Sequence, residues 1–452
     1  MNNSKGSTLS YNPYIAAHRF GLGSGAEEMK IISKNPKSWL HNQVKSEVDT
    51  SLKGSFKNTQ AITKQVIKIR RAKTKERKQL MKAGFDIYRY EMEMRFKQAI
   101  STNTPLIERL TMFWSNHFAV SLKGKPYLAA LTGVYERDAI RPHVLGKFSD
   151  MLLSVVEHPA MLAYLDNVQS IGPNSIAGKR RGKGLNENLA REIMELHTLG
   201  VDGGYSQDDV IEFAKILTGW TVRPPKLFGG GGEFEFIERI HEPDKRVLLG
   251  KTYNQKGQDQ GIAALNDLAK HPSTARFIAT KLARHFISDD PPKSAIKKLE
   301  RSFLKSGGDL RELTLTLINM PEVWEQQLPK IKTPYEMVVA SFRAVNAPIK
   351  KVGFEKVAQS LALLDHIPFQ APSPQGWPDR ADDWLSPNAM INRVEWCHAF
   401  AQVMRPKESP LELAQNLLSG VASGDTLLWI ERAPSPVDGL ALLLASPQWQ
   451  RR

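Results

Sequence analysis

The sequence predicts a mainly α-helical fold, a multi-helix globular bundle carrying one small β-hairpin near residues 233–250. Three observations carry that reading. Apolar residues recur at helical spacing through most of the 452 residues. Helix-start signals, such as Thr104-Pro105 and Ser206 with Asp209 three residues later, stand where those stretches begin. Alternation of polar and apolar residues is clearest over Glu233-Phe-Glu-Phe-Ile237. The chain is read as one large helical domain over 1–452, with the hairpin as an insertion over 221–255. No apolar run approaches the roughly 20 residues a membrane helix needs, and the single Cys397 excludes an internal disulfide.

In chain order, residues 12–25 hold His18-Arg-Phe-Gly-Leu-Gly23. No strand precedes those glycines, so they are not a dinucleotide loop. From 60 to 100 the pattern is one long basic helix with Gly84 as its weak point. Between 64 and 82 stand nine Lys and Arg against Glu76 alone, so this window supplies nine minus one, or eight, of the net charge of +15. A face of this kind suits nucleic acid, anionic lipid or an acidic partner. The absence of interleaved aromatics argues for a solvated face with weak polyanion binding at most. The next helix opens at Thr104-Pro105 and ends in Trp114-Ser-Asn116-His117-Phe118. Further on, His143, His158 and Leu165-Asp166-Asn167 are dense in ionisable groups. Residues 172–184 read as a mobile surface loop, either a lid or an idle connection.

The stretch from Asn186 to Trp220 organises the rest. Leu189, Ile193, Leu196 and Leu199 form one apolar stripe, while Glu187, Arg191 and Glu195, four apart, form a ladder on another face. Glycines at 200, 203 and 204 stop that helix, and the Ser206/Asp209 capping box starts a second one through Val210, Phe213 and Leu217. Beyond Trp220, Glu233–Ile237 and Val247-Leu-Leu249 are the expected hairpin strands, with His241–Lys245 as their turn. Helical spacing then resumes. The Pro- and Trp-rich stretch 371–387, with Trp377 and Trp384, is expected as an ordered loop packed over the helices.

Six motifs, in order, resemble the bacterial domain-of-unknown-function family 1800: His18–Gly23, Phe113–Phe118, His158-Pro-Ala-Met-Leu with Tyr164-Leu-Asp-Asn167, Asn186–Gly200, Leu217-Thr-Gly-Trp220, and Ala275-Arg-Phe-Ile with Lys281-Leu. The match runs from about Ala16 to beyond Arg393. The resemblance implies no established activity. It does imply a sulfatase-like protein encoded nearby as a partner, and relatives that carry export signals. This sequence shows no such signal, so cytoplasm is the default compartment, with periplasm or extracellular space as the alternative.

Polar groups set in core-forming runs must be paired, hydrogen-bonded or metal-bound. On that ground His117, Glu192, Glu195 and His197 are the candidate catalytic residues, and Asn116, Asp166, Asn167, Glu187, Arg191 and His241 the candidate binding residues. His117, Asp166, Arg191, Glu192, Glu195 and His197 are expected to converge on one pocket. One reading is a metal-dependent enzyme, perhaps a hydrolase in which a divalent metal of unknown identity shares His and carboxylate ligands. The alternative is a non-enzymatic helical binding or scaffold protein in which these charges form a buried ion network. A third reading is polyanion or nucleic-acid binding through the basic helix. There is no His-Glu-x-x-His and no Gly-x-Ser-x-Gly elbow.

Overall fold

The computed structural model describes residues 11–452 apart from 46, 182–183, 225–229, 326–327, 349–352 and 407. It is mainly helical, as the periodicity predicts. One contiguous buried cluster runs from Tyr14 to Trp449, with two small satellites. Among the described residues no helix is long and apolar enough to cross a membrane.

Two buried helices position the site. Pro105–His117 starts on its proline and buries ten of its thirteen residues, including Glu108, Arg109 and His117. Pro334–Ala344 starts from a complete Thr333/Glu336 capping box and buries all eleven of its residues. A helix sheathed on every side must satisfy its polar side chains inside the protein. Arg109 accordingly donates to Glu336 and to the carbonyls of His18 and Gly21. Glu336 also takes the Arg452 guanidinium at 3.1 Å. A third helix, Pro272–Phe286, brings its last turn alongside, and the 371–387 stretch, ordered as expected, crosses over the top with a short 3-10 turn at Ala381–Trp384.

The central hairpin forms with its predicted capping box, Ser206 accepting from the Asp209 N–H and Asp209 from the Ser206 N–H. Its first helix departs from the expected phase. Asn188–Glu192 continues as a π-turn over Ile193–His197. The wider i→i+5 turn shifts the downstream side chains around the axis. Leu196 is therefore only partly buried, and His197, 1% exposed, takes the inward place.

Three expectations are corrected in detail. The basic stretch over 60–100 is two helices, Thr59–Arg71 and Thr74–Ser101, broken at Ala72-Lys73 rather than at Gly84. Folding back lets Ile62, Val66 and Ile69 bury, and Gly84 is buried against them inside the second helix, where a Cβ would make only ordinary contacts with Ile69 at 3.7 Å and Ala130 at 3.9 Å. The two expected strands exist but do not pair with each other. β1 (Trp220–Val222) pairs with β2 (Phe234–Phe236), and β3 (Arg246–Leu248) with β4 (Lys251–Tyr253), both antiparallel. The reason lies at Leu249-Gly250, where both φ values are positive, 50° and 74°, and a two-residue turn returns the chain at once. The loop expected to be mobile over 172–184 is stitched down over its first half: Gly172 N–H donates to the Ile240 carbonyl at 2.9 Å, and Asn174 gives its backbone and side-chain N–H groups to Glu242 at 2.8 and 2.7 Å.

Candidate functional site

A cleft of about 500 Å³ opens where the three helices meet the 371–387 stretch. Asn116 builds its roof. Its Oδ1 accepts the Trp377 N–H at 2.7 Å and its Nδ2 donates to the Trp377 carbonyl at 2.9 Å, a two-pronged clamp of side chain on backbone. Gly376, at φ 88°, permits that approach, since a Cβ there would fall 2.4 Å from the Asn116 carbonyl oxygen. Trp377 and Trp384 then close on His366, with ring centroids 4.9 and 5.0 Å from its imidazole.

The chemistry sits on the wall opposite. His285 Nδ1 lies 3.0 Å from Asp379 Oδ2. A carboxylate only accepts, so Nδ1 carries the proton and Nε2 presents its lone pair. That Nε2 is buried and has no hydrogen-bond partner. Burial pushes the imidazole below its usual range, with Asp379 opposing. Asp379 is itself held well below the carboxylate range: burial would raise it, but His285, Lys330 and Arg452 outweigh that. One turn earlier on the same helix, Lys281 is pushed down to about 8, mainly by burial. His117 lines the cleft on the far side of Phe113, whose ring lies 6.4 Å from it and 5.3 Å from His285. Its Nε2 donates to the His197 carbonyl at 3.0 Å, leaving a buried Nδ1 without a partner.

Beneath the cleft lies a buried network. Glu136 accepts from Arg95 at 2.8 Å, Arg141 at 3.1 Å and Ser115 at 2.8 Å, and Glu108 takes Arg141 through two bonds of 2.8 Å. Four ionic groups thus balance in a largely buried layer whose upper edge, at Arg95 and Ser115, lines the cleft.

The residues singled out from sequence are placed as follows. Asn116 and His117 line the cleft, and His197 lies behind His117 with ring centroids 6.2 Å apart. The carboxylates do not join them. Glu187, Arg191 and Glu195 pair along their own helix at 2.9 and 3.5 Å, with Gln207 bridging from the next. Glu192 has no ion pair among the described residues; burial and then Glu195 raise its carboxyl. Asp166 pairs with Lys125 at 2.7 Å, Asn167 holds the carbonyls of Leu217 and Trp220, and His241 Nδ1 donates to the Thr218 carbonyl at 2.8 Å. The expected convergence of six residues is therefore a pair of histidines, because a helix ladder holds Arg191 and Glu195, a loop cation holds Asp166, and Glu192 stays half-buried on its own helix. Among the described residues no group of three or more His, Cys, Asp or Glu side chains is placed to hold a metal ion.

The residues that define the cleft, Lys281, Arg284, His285, His366 and Asp379, were not singled out by their chemistry in sequence. The one available signal was Lys281 and His285 four apart on a helix, which reads equally as basic residues at a helix end.

Fold and site together define a mainly helical protein with one aromatic-roofed cleft holding a carboxylate-oriented histidine. The chain belongs to the family described as protein of unknown function DUF1800, whose model matches residues 15–451. No curated protein and no solved structure matches it.

Proposed function

We propose that the cleft is an acid–base active site in which His285 removes a proton from a substrate hydroxyl or a water molecule. The observation that carries this reading is the His285 imidazole, fixed through Nδ1 by Asp379 and bare at a buried Nε2 beside the cleft. Asp379 sets the tautomer and stabilises the imidazolium after transfer. His366 accepts the Tyr335 N–H through Nδ1 at 3.3 Å, so its Nε2 carries a hydrogen and serves as a neutral donor across the cleft. His117 supplies a second lone pair. No step passes through a metal.

The test is turnover of a panel of chromogenic esters and phosphoesters. His285→Gln is expected to lower the active signal about 100-fold or more with an unchanged melting temperature. Since burial lowers the His285 imidazole, its neutral, proton-accepting form prevails at neutral pH, and turnover should fall only as pH drops below the usual histidine value. A His285→Gln variant that keeps the full rate would return the buried charges to the scaffold reading, in which they serve packing alone.

A second reading is supported by the basic hairpin. Lys68, Arg70, Arg71, Lys73, Lys75, Arg77, Lys78 and Lys82 are exposed around its tip. Uncompensated charge of this kind attracts polyanions weakly and in a salt-dependent way.

A further inference from the structure

We propose that the cleft takes a small hydroxylated anion, its carboxylate or phosphate held by Lys281 and Arg284 and its hydroxyl directed at His285; this rests on the acid–base reading of His285. The last two turns of Pro272–Phe286 present all three side chains to the cleft. Lys281 makes no ion pair among the described residues and lies over the Phe277 ring at 5.6 Å. Arg284 spends its Nε on the Asp289 carbonyl at 3.3 Å and makes no ion pair among the described residues. The other charges lining the cleft are committed. Arg95 is paired with Glu136, Glu336 with Arg109 and Arg452, Asp379 with His285 and Lys330, and Arg380 with Asp290. Asp383, without an ion pair among the described residues, stands exposed at the rim. The unpaired charge inside is therefore positive.

Hydrogen-bonding capacity narrows the ligand further. His285 Nε2 and His117 Nδ1 offer lone pairs, while Trp377 Nε1 is a buried donor without a partner. A ligand that meets His285 Nε2 and Trp377 Nε1 removes the cost of leaving those two buried polar atoms unpaired. A hydroxylated anion does this: its hydroxyl donates to the His285 imidazole, and its oxyanion accepts from indole and ammonium. A purely hydrocarbon anion leaves the imidazoles unmet. Lys281 and His285 are i,i+4 neighbours, about 6 Å apart along the axis, so both groups belong to one small molecule. The aromatic walls, Phe113 and Trp377, cover its carbon skeleton.

Calorimetric titration of the full chain with glycolate and with glycerol phosphate tests this. One of the two is expected to bind; which one does so distinguishes carboxylate from phosphate as the anchor. Lys281→Met should weaken that binding at least about tenfold, Lys281→Arg should preserve it, and Arg284→Gln should weaken it several-fold. Acetate should bind more weakly than glycolate, and methyl phosphate, lacking the carbon-borne hydroxyl, more weakly than glycerol phosphate. His285→Gln should still bind the anion through Lys281 and Arg284, weakened only to the level of the ligand without a hydroxyl, so loss of turnover in that variant and loss of binding in the lysine variant report on different claims. Binding by neither probe at millimolar concentration, or binding indifferent to Lys281→Met, would overturn the proposal.

Discussion

At the scale of single residues, the most consequential side chain is Glu136. It sits on a π-turn, 2% exposed, and accepts from two guanidinium groups and a serine hydroxyl. Burial alone would raise its pKa, but Arg95 and Arg141 hold it below the usual carboxylate range. Removing its charge strands the buried Arg95 and leaves Arg141 to Glu108 alone. Glu136→Gln should destabilise the protein by about 3–5 kcal/mol, read as a lower midpoint in urea with an unchanged slope. Its sequence context, Tyr-Glu-Arg-Asp, gives no hint of that burden. His117 and Asn116 were legible because they interrupt an aromatic run. His285 and Asp379 were not, because 94 residues separate them and each alone looks like an ordinary surface-facing polar residue.

At the scale of elements, what could be read was what local chemistry dictates. The Ser206/Asp209 box, the proline starts and the two short strands all follow from backbone needs that a few neighbouring residues meet. Strand pairing did not follow, because the Leu249-Gly250 turn places a non-glycine residue at positive φ. The three π-turns among the described residues, at Ala16–Phe20, Glu136–Ile140 and Ile193–His197, leave no mark in an apolar period, yet each turns a charged or imidazole side chain inward. The break at Ala72-Lys73 likewise depends on tertiary packing. It leaves a projecting pair of helices whose cations set a clear expectation: the protein should elute from an immobilised polyanion at low salt. Changing Arg70, Arg71, Arg77 and Lys78 to Gln should lower the salt slope by up to about four, near 0.9 per contact. Unaltered elution would mean the hairpin plays no part.

At the scale of the molecule, the buried histidines fix the pH response. His158, His197 and His366 are each lowered to about 3, chiefly by burial. Between that value and the unfolded value near 6.5, the unfolded chain binds protons that the folded chain refuses. Stability therefore rises with pH through this window and is lost as pH falls, by about 1.4 kcal/mol per pH unit for each such histidine. Denaturant midpoints recorded from pH 7 to 4 should show a steep decline; a flat profile would mean that these imidazoles are not buried. The same scale carries a consequence for the order of synthesis. Tyr14 bonds through its hydroxyl to the carbonyls of Gln448 at 2.6 Å and Arg451 at 2.9 Å, and Lys332 reaches the Trp449 and Arg451 carbonyls. Those partners lie up to 437 positions apart. A nascent chain cannot close this seam until residue 451 has cleared the ribosome, so the interior around Tyr14 must wait, unfinished, while everything between the two sides of the seam is made.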